Sequence, residues 1–303
     1  ALLPKVVRLG DEARLLVTSG GLADEAALDA EIAHKRLVLV LGGAAGSGYV
    51  FLGALVRLED LGLRPDYMVG CSIGSLLGVI RGRRHAFDLD ELLEDVRLLR
   101  GSAVFRPARL VARFGMPAAL RLDLRGPLGS LFTNSDGEAL RCRGLAIPAD
   151  ALATGLGPGA LLGANGDFAR MVDAELSGAE ALRELPGSVL VRAVSSLVAL
   201  AMSRRALVPT FFGADPETAE LPALDAAGFS AAIPGLLQYD PPEDDAHAAK
   251  ILKRIFDEHR LSALVDGSLA SLVPARYAWE AIEAGRIGTR HTAIVALDAF
   301  ASS

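Results

Sequence analysis

Apolar runs and amphipathic stretches alternate over residues 36–82, and this alternation predicts strands and helices in turn. Residues 36–41 (RLVLVL) form a continuous apolar run that is typical of a buried strand. Residues 49–62 then place apolar side chains at helical spacing. The same order repeats, with a strand at 66–70 and a helix at 71–82. A strand–helix–strand–helix unit of this kind predicts a parallel sheet covered by helices, and therefore an α/β protein.

The rest of the chain shows a less regular pattern. We expect residues 1–35 to form a helical or irregular N-terminal extension and residues 36–300 to form one domain. Within that domain, residues 84–224 are expected to be a divergent insertion of helices and loops, with loop and short elements at 134–165. Further strands are predicted at 208–212, 263–266 and 291–298, and further helices at 88–100 (with Asp88 as N-cap), 167–185, 188–205 and 276–285.

Composition narrows the class of protein. The chain has 303 residues, of which 51% are hydrophobic, and a formal net charge of −6, which disfavours a general nucleic-acid binder. Its two cysteines, Cys71 and Cys142, exclude a disulfide framework and a cysteine-rich zinc site. We see no signal peptide, and the most apolar stretch, 186–209, is interrupted by arginines, so a cytoplasmic or peripheral membrane location is expected. The preference for arginine over lysine favours a bacterial source.

The first candidate for chemistry is the sequence GCSIG at residues 70–74, which fits the pattern G-x-S-x-G. A serine on a sharp strand-to-helix turn needs small neighbours, because the backbone there is strained and closely packed. The turn exposes the hydroxyl at the start of a helix, where backbone N–H groups favour an anion. Ser72 is therefore a candidate nucleophile. The alternative is a tight packing turn, and Cys71 beside Ser72 is expected to be packed rather than reactive.

A glycine-rich loop, GGAAGSG at residues 42–48, also joins a strand to a helix. It lacks the Gly-Lys-Ser/Thr ending of a P-loop, and Phe51 stands where a dinucleotide fingerprint needs its third glycine. An oxyanion hole, in which N–H groups stabilise a tetrahedral intermediate, is the interpretation that also accounts for the serine turn. Its candidate residues are Gly43, Ala44, Ala45, Gly46 and Gly48. A plain glycine turn that lets the helix pack closely is the alternative.

The third candidate is Asp266, which follows a short apolar strand and begins the turn Asp-Gly-Ser. Taken alone, an aspartate at such a place is an ordinary turn residue. Taken in order, however, the loop at 43–48, the GCSIG turn and the Asp266-Gly267 pair resemble the patatin-like phospholipase family. The segments 229–239 and 265–298 resemble that family as well, so the resemblance covers about 36–83 and 225–299.

The resemblance implies a three-layer α/β/α fold with a mostly parallel central sheet. It also implies a lipid acyl hydrolase of the phospholipase A or lysophospholipase type, without a cofactor or metal. Ser72 would be the nucleophile and Asp266 the base of a Ser–Asp dyad, and the substrate a phospholipid or another acyl lipid. The chain departs from the family at Ser47, where the family has Arg or Lys, at Ala44 and Ala45, and at Ser268. The sequence shows no activating partner.

Other functions stay open at this point. An acyltransferase of the same fold would pass the acyl group to another alcohol or thiol. A catalytically weak lipid-binding or regulatory module is the other alternative, because the glycine-rich loop departs from that of the family. A Ser-His-Asp triad would use Ser72, Asp266 and His291, although His291 precedes a strand where α/β-hydrolases place their histidine after one. The acidic residues at 241–250 are typical of a solvated helix start rather than a metal site.

Arginines interleave with apolar residues over 102–133, among them Arg106, Arg109 and Arg113. Such a stretch is typical of a segment that lies at a lipid surface and meets anionic headgroups. We therefore hypothesise peripheral membrane contact through these arginines. An ordinary amphipathic pair of helices over the core is the alternative.

Overall fold

The computed structural model describes residues 3–158 and 207–299, apart from 34, 100, 109–111, 117 and 214–215. The helices expected at 167–185 and 188–205 lie outside the described residues, as does Arg109. In chain order the strands are β1 (Arg36–Leu41), β2 (Tyr67–Cys71), β3 (Phe105–Pro107), β4 (Ala118–Leu122), β5 (Ala149–Leu156), β6 (Leu207–Phe212), β7 (Gly235–Gln238), β8 (Ala263–Asp266) and β9 (Thr292–Leu297).

The α-helices of the described residues are also numbered in chain order. They are α1 (Leu3–Ser19), α2 (Glu25–Ala33), α3 (Val50–Asp60), α4 (Ile73–Gly82), α5 (Leu89–Arg97), α6 (Gly101–Val104), α7 (Arg125–Leu128), α8 (Ala223–Ser230), α9 (Ala246–His259) and α10 (Ala275–Glu283). None of these helices is long and apolar enough to cross a membrane.

The main sheet has the strand order β6–β5–β2–β1–β9. Strands β9, β1, β2 and β5 run parallel, and β6 runs antiparallel to β5. Five of the six residues of β1 and all of β2 are buried, as expected for strands covered on both faces. The strand–helix–strand–helix prediction for 36–82 is confirmed, since β1, α3, β2 and α4 follow one another there.

Helices cover both faces of this sheet. Side chains alternate between the two faces along each strand, and those of β1 are apolar on both. Val38 and Val40 of β1 pack with Ala281 and Ile282 of α10 on one face. Leu39 and Leu41 point to the other face, into the larger core, which includes residues of α3, α4 and α8. The layers are therefore helix, sheet and helix, and the expected α/β/α fold with a mostly parallel sheet is confirmed.

The eight-residue strand β5 extends beyond the end of β2, and β8 pairs with the part of β5 that β2 does not reach. Cys71, the last residue of β2, pairs with Leu152, and Asp266, the last residue of β8, pairs with Ala153. Because β6 occupies the opposite side of β5 from Ala151 to Leu156, β2 and β8 lie on the same side, end to end. Their carboxyl ends therefore face each other, with Ser72 directly after one of them.

The stretch 84–224 differs from its prediction. It supplies β5 to the main sheet, so the expectation of loop and short elements at 134–165 is wrong over 149–156. It also supplies β6, which agrees with the strand predicted at 208–212. The sequence did not predict β5 as a strand, because its alanines and glycine are weakly hydrophobic and are not typical of strands. Segments of the same stretch, β3 and β4, join β7 in a second, three-stranded sheet. The bounds of the extension and of the domain stay predictions.

The first two helices lie outside these layers. Helix α2 has no buried residue among those described. Its end meets the domain at the start of β9, where the His291 ring lies 2.7 Å from the carbonyl oxygen of Ile32 and the Thr289 hydroxyl donates to Glu31. Two helices and the turn between them thus occupy most of the described part of residues 1–35.

Candidate active site

Ser72 occupies the sharp turn between β2 and α4. Its backbone has φ 53° and ψ −126°, a left-handed conformation that non-glycine residues rarely adopt. The residue is 7% exposed and stands at the N-cap of α4, where the helix dipole favours negative charge. The predicted strand–turn–helix context of this serine is therefore present.

The two glycines that flank Ser72 are required by close backbone approach. A Cβ on Gly70 would overlap the Cα of Ser75, and a Cβ on Gly74 would overlap the carbonyl oxygens of Leu41 and Gly42. The G-x-S-x-G spacing thus lets β2, α4 and the end of β1 meet around the serine. Cys71 is fully buried within this packing, and burial raises the pKa of its thiol, so the thiolate is disfavoured.

Asp266 reaches the same place from β8. Its main chain is held on both sides: its N–H donates to the Ala232 carbonyl at 2.8 Å, and its carbonyl accepts from the Thr154 hydroxyl at 2.9 Å. Gly267 must be glycine, since a Cβ there would overlap the Leu152 carbonyl oxygen. The turn that follows β8 therefore fixes the Asp266 side chain against the Ser72 turn.

The carboxylate of Asp266 is buried, with 2% of the residue exposed, and its two oxygens differ. Oδ1 accepts from the Ser268 N–H at 2.8 Å and from the Ser268 hydroxyl at 2.5 Å. Oδ2 is buried and has no hydrogen-bond partner of normal geometry in the described chain. Burial raises the pKa of Asp266, while the hydrogen-bonding influence of Ser268 and of the Ser72 hydroxyl lowers it in part. A basic oxygen is thus left open beside a serine hydroxyl.

The glycine-rich loop runs over the same edge of the sheet. Ala44 has φ −149° and ψ 3°, and Ala45 follows with φ 45°. A negative φ followed by a positive one turns successive N–H groups into a concave nest that suits an anion. In the described chain the N–H groups of Ala44, Ala45 and Gly46 donate no hydrogen bond. The Ser47 hydroxyl and N–H both bond back to the Ala44 carbonyl and close the loop.

Two of the five residues expected in the oxyanion hole serve other purposes. The Gly43 N–H donates to the Leu272 carbonyl at 2.8 Å, so this donor is already engaged. Gly48 is buried against Ile73, where a Cβ would overlap that side chain, so its role is to pack the loop on α4. The open donors are therefore those of residues 44–46.

The structure separates His291 from the serine. His291 precedes β9, whose first residue Thr292 pairs with Arg36 at the start of β1. Ser72 follows the carboxyl end of β2, which is parallel to β1, so the two side chains lie at opposite edges of the sheet. The Ser-His-Asp alternative with His291 is therefore wrong for this arrangement.

Sequence reasoning missed Ser230, the last residue of α8. It is fully buried, and its hydroxyl accepts from the Ser72 N–H at 2.9 Å. The same oxygen lies 2.7 Å from the Ser75 hydroxyl and donates to the Leu152 carbonyl at 2.5 Å. Ser230 thus connects α8, β5 and the serine turn. Ser230 lies within the segment 229–239 that carries part of the family resemblance, but that resemblance assigns it no role.

The arginines of 102–133 have different surroundings. Arg106 is exposed on β3 and pairs with Asp123 at 3.5 Å, and the exposed Arg113 lies over the ring of Phe114. Arg125 instead turns inward, with ion pairs to Asp225 and to Asp245. Asp245 also caps α9, so the acidic stretch 241–250 begins a helix as expected.

The α/β/α layers and the mostly parallel sheet place the protein in the class of three-layer α/β proteins, with a strained serine and a buried aspartate at the carboxyl edge of β2. The family model of the patatin-like phospholipases matches residues 39–279, well over half of the chain. The chain belongs to the patatin-like phospholipase family, which supports lipid acyl hydrolase activity in general and lipids as substrates. No curated protein matches the chain.

Proposed function

We propose that this protein hydrolyses acyl esters of lipids by a Ser72–Asp266 dyad through an acyl-enzyme. The observation that carries the proposal is the open, buried Oδ2 of Asp266 beside the Ser72 hydroxyl, at the point where β2 and β8 end against each other. A serine needs such an acceptor, because its hydroxyl is a weak nucleophile until a base takes the proton. A carboxylate whose pKa is raised by burial is a better base than an exposed one.

The steps follow from this geometry. The Ser72 oxygen attacks the ester carbonyl carbon while its proton moves to Asp266, and the carbonyl oxygen becomes an oxyanion. The N–H groups of Ala44, Ala45 and Gly46 hold that oxyanion, each well-placed donor being worth about 2.7–4 kcal/mol in the transition state. Asp266 then returns the proton to the leaving alcohol, and the acyl chain stays on Ser72. Water, deprotonated by Asp266, then attacks this ester, Asp266 passes that proton to the departing Ser72 oxygen, and the fatty acid is released.

The test of the dyad uses the purified full chain and a chromogenic acyl ester. A fluorophosphonate probe should label the wild type and fail to label Ser72→Ala. Asp266→Asn should lower turnover by about 10²–10⁴-fold, the usual contribution of a general base. Ser130→Ala and Asp257→Asn change exposed residues of the same types and should keep both labelling and turnover. Labelling that persists in Ser72→Ala would contradict the proposal.

The products separate hydrolysis from transfer. With a phospholipid substrate, a hydrolase releases free fatty acid, whereas an acyltransferase yields a new ester or thioester when an alcohol or thiol acceptor is supplied. We expect free fatty acid. If neither product forms and no probe labels the chain, a lipid-binding module would replace the proposed enzyme.

A further inference from the structure

The Ser268 hydroxyl makes a short contact with the proposed base. It donates to Oδ1 of Asp266 at 2.5 Å, beside the Ser268 N–H, which donates to the same oxygen at 2.8 Å. The N–H bond belongs to the turn that starts at Asp266 and is available to any residue at position 268. The hydroxyl bond is specific to serine or threonine. Ser268 is partly exposed, so its side chain is not needed to fill the core.

We infer that Ser268 is a positioning residue of the active site, whose hydroxyl holds Oδ1 of Asp266 so that Oδ2 stays turned toward Ser72. This inference rests on the proposed function of the Ser72–Asp266 pair. A carboxylate held at one oxygen by two donors cannot rotate freely about its Cβ–Cγ bond, and only its second oxygen is open to the serine proton. Oδ1 accepts two hydrogen bonds, whereas the buried Oδ2 has no partner of normal geometry among the described residues.

The Ser268 hydroxyl also lowers the pKa of Asp266. Burial raises the pKa of this carboxyl, and the Ser268 side chain is the strongest of the influences that lower it again. The other groups that bear on it are the Ser72 hydroxyl and the Ser268 N–H, with the buried Cys71 thiol as the neighbouring titratable group. Among the described residues, no cation contributes to this balance. The hydroxyl therefore keeps the base ionised at lower pH than burial alone would allow.

The first experiment follows the pH dependence of kcat/KM for ester hydrolysis. Its acid limb reports ionisation of the base in the free enzyme. Ser268→Ala should move this limb upward by about one pH unit, because a hydrogen bond to a charged group is worth roughly that much. Ser268→Thr keeps a hydroxyl and should restore the limb. Ser271→Ala removes a hydroxyl from the same turn that bonds to the Val273 carbonyl instead, and should leave the limb in place.

A second experiment does not depend on turnover. Carboxyl ¹³C chemical shifts of Asp266 are titrated in the Ser72→Ala chain with and without Ser268→Ala, and Asp266→Asn assigns the signal. The pKa of Asp266 should be higher without the Ser268 hydroxyl. An unchanged pKa, or an acid limb that Ser268→Ala leaves in place, would overturn the inference. If the wild type hydrolyses no ester, the proposed function fails, and this titration still decides whether the Ser268 hydroxyl lowers the pKa of Asp266.

Discussion

The Ser230 hydroxyl oxygen accepts the backbone N–H of Ser72 at 2.9 Å. Ser230 has one hydroxyl proton, and that proton goes to the Leu152 carbonyl at 2.5 Å, since a carbonyl only accepts. Ser75 must therefore donate to Ser230 across the 2.7 Å that separate their hydroxyl oxygens. One buried oxygen thus fixes the main chain of the strained serine turn to β5. The oxyanion donors are then left to the glycine-rich loop.

Ser230→Ala should weaken both the fold and the proposed activity. It leaves the Ser72 N–H, the Ser75 hydroxyl and the Leu152 carbonyl without a buried partner, which we expect to lower the free energy of unfolding by about 1–3 kcal/mol. Turnover should fall as well, because the Ser72 turn loses its anchor. Urea denaturation and ester hydrolysis measure the two effects. Ser130→Ala is the exposed control, and equal stability of Ser230→Ala and wild type would show that the anchor is dispensable.

Gly74 of the serine turn and Gly53 of α3 provide a matched pair of glycine-to-alanine substitutions. Gly74→Ala places a Cβ into the Leu41 carbonyl, so we expect a loss of about 3 kcal/mol or more of unfolding free energy, at the upper end of overpacking effects. Gly53 lies inside α3, where a Cβ would meet no heavy atom within 4 Å, so Gly53→Ala should stabilise the chain by about 0.5–1 kcal/mol. Thermal and urea unfolding measure both. Similar effects of the two substitutions would refute the close-approach argument.

Asp150 should make stability depend on pH. Burial raises its pKa to about 7, although the Tyr67 hydroxyl donates to it and Arg286 lies 3.9 Å away. Between pH 4 and pH 7 the folded chain then binds more protons at this site than the unfolded chain, so the contribution of Asp150 to stability falls as pH rises through this window. The slope for a single site is at most about 1.4 kcal/mol per pH unit.

Asp150→Asn removes this dependence, so the variant should gain stability relative to wild type as pH rises from 5 to 8. Urea denaturation at each pH gives the difference, in which the other titrating groups cancel. Asp136→Asn, at an exposed turn, is the control and should show no such trend. A difference that stays constant from pH 5 to pH 8 would mean that Asp150 is ionised throughout.

The hypothesis of membrane contact through the arginines of 102–133 can be tested at Arg106 and Arg113, which the structure describes and which are both exposed. Each basic residue near an anionic membrane surface contributes about 1 kcal/mol to the free energy of binding. Replacing both arginines by glutamate should therefore reduce binding to vesicles that contain phosphatidylserine by at least about 30-fold at low salt. Arg276→Glu reverses an exposed charge on α10 and should have less effect. Cosedimentation measures binding, and unchanged binding of the double variant would end the hypothesis.

The sequence predicted best where structure is local. The apolar run of β1 and the helical spacing after it are properties of consecutive residues, and so is the cap that Asp88 provides to α5 through the Glu91 N–H at 3.1 Å. Strand β5 escaped prediction, because alanine and glycine carry little strand signal even where the strand is fully buried. The three-stranded sheet was not predicted for another reason. Strands β4 and β7 lie far apart along the chain, and pairing over such a distance leaves no periodic pattern in the sequence.

The two turns of the candidate site could be predicted from the order of residues alone. Glycines at 70, 74 and 267 are needed wherever backbone comes that close, and a serine or aspartate between a strand and a turn is visible as a motif. The folded chain was needed to establish that β2 and β8 end against each other on one side of β5, that Oδ2 of Asp266 stays open, and that Ser230 holds the Ser72 N–H. Burial and hydrogen-bond partners depend on which segments meet in space, and segments far apart along the chain meet only when the whole sheet has formed.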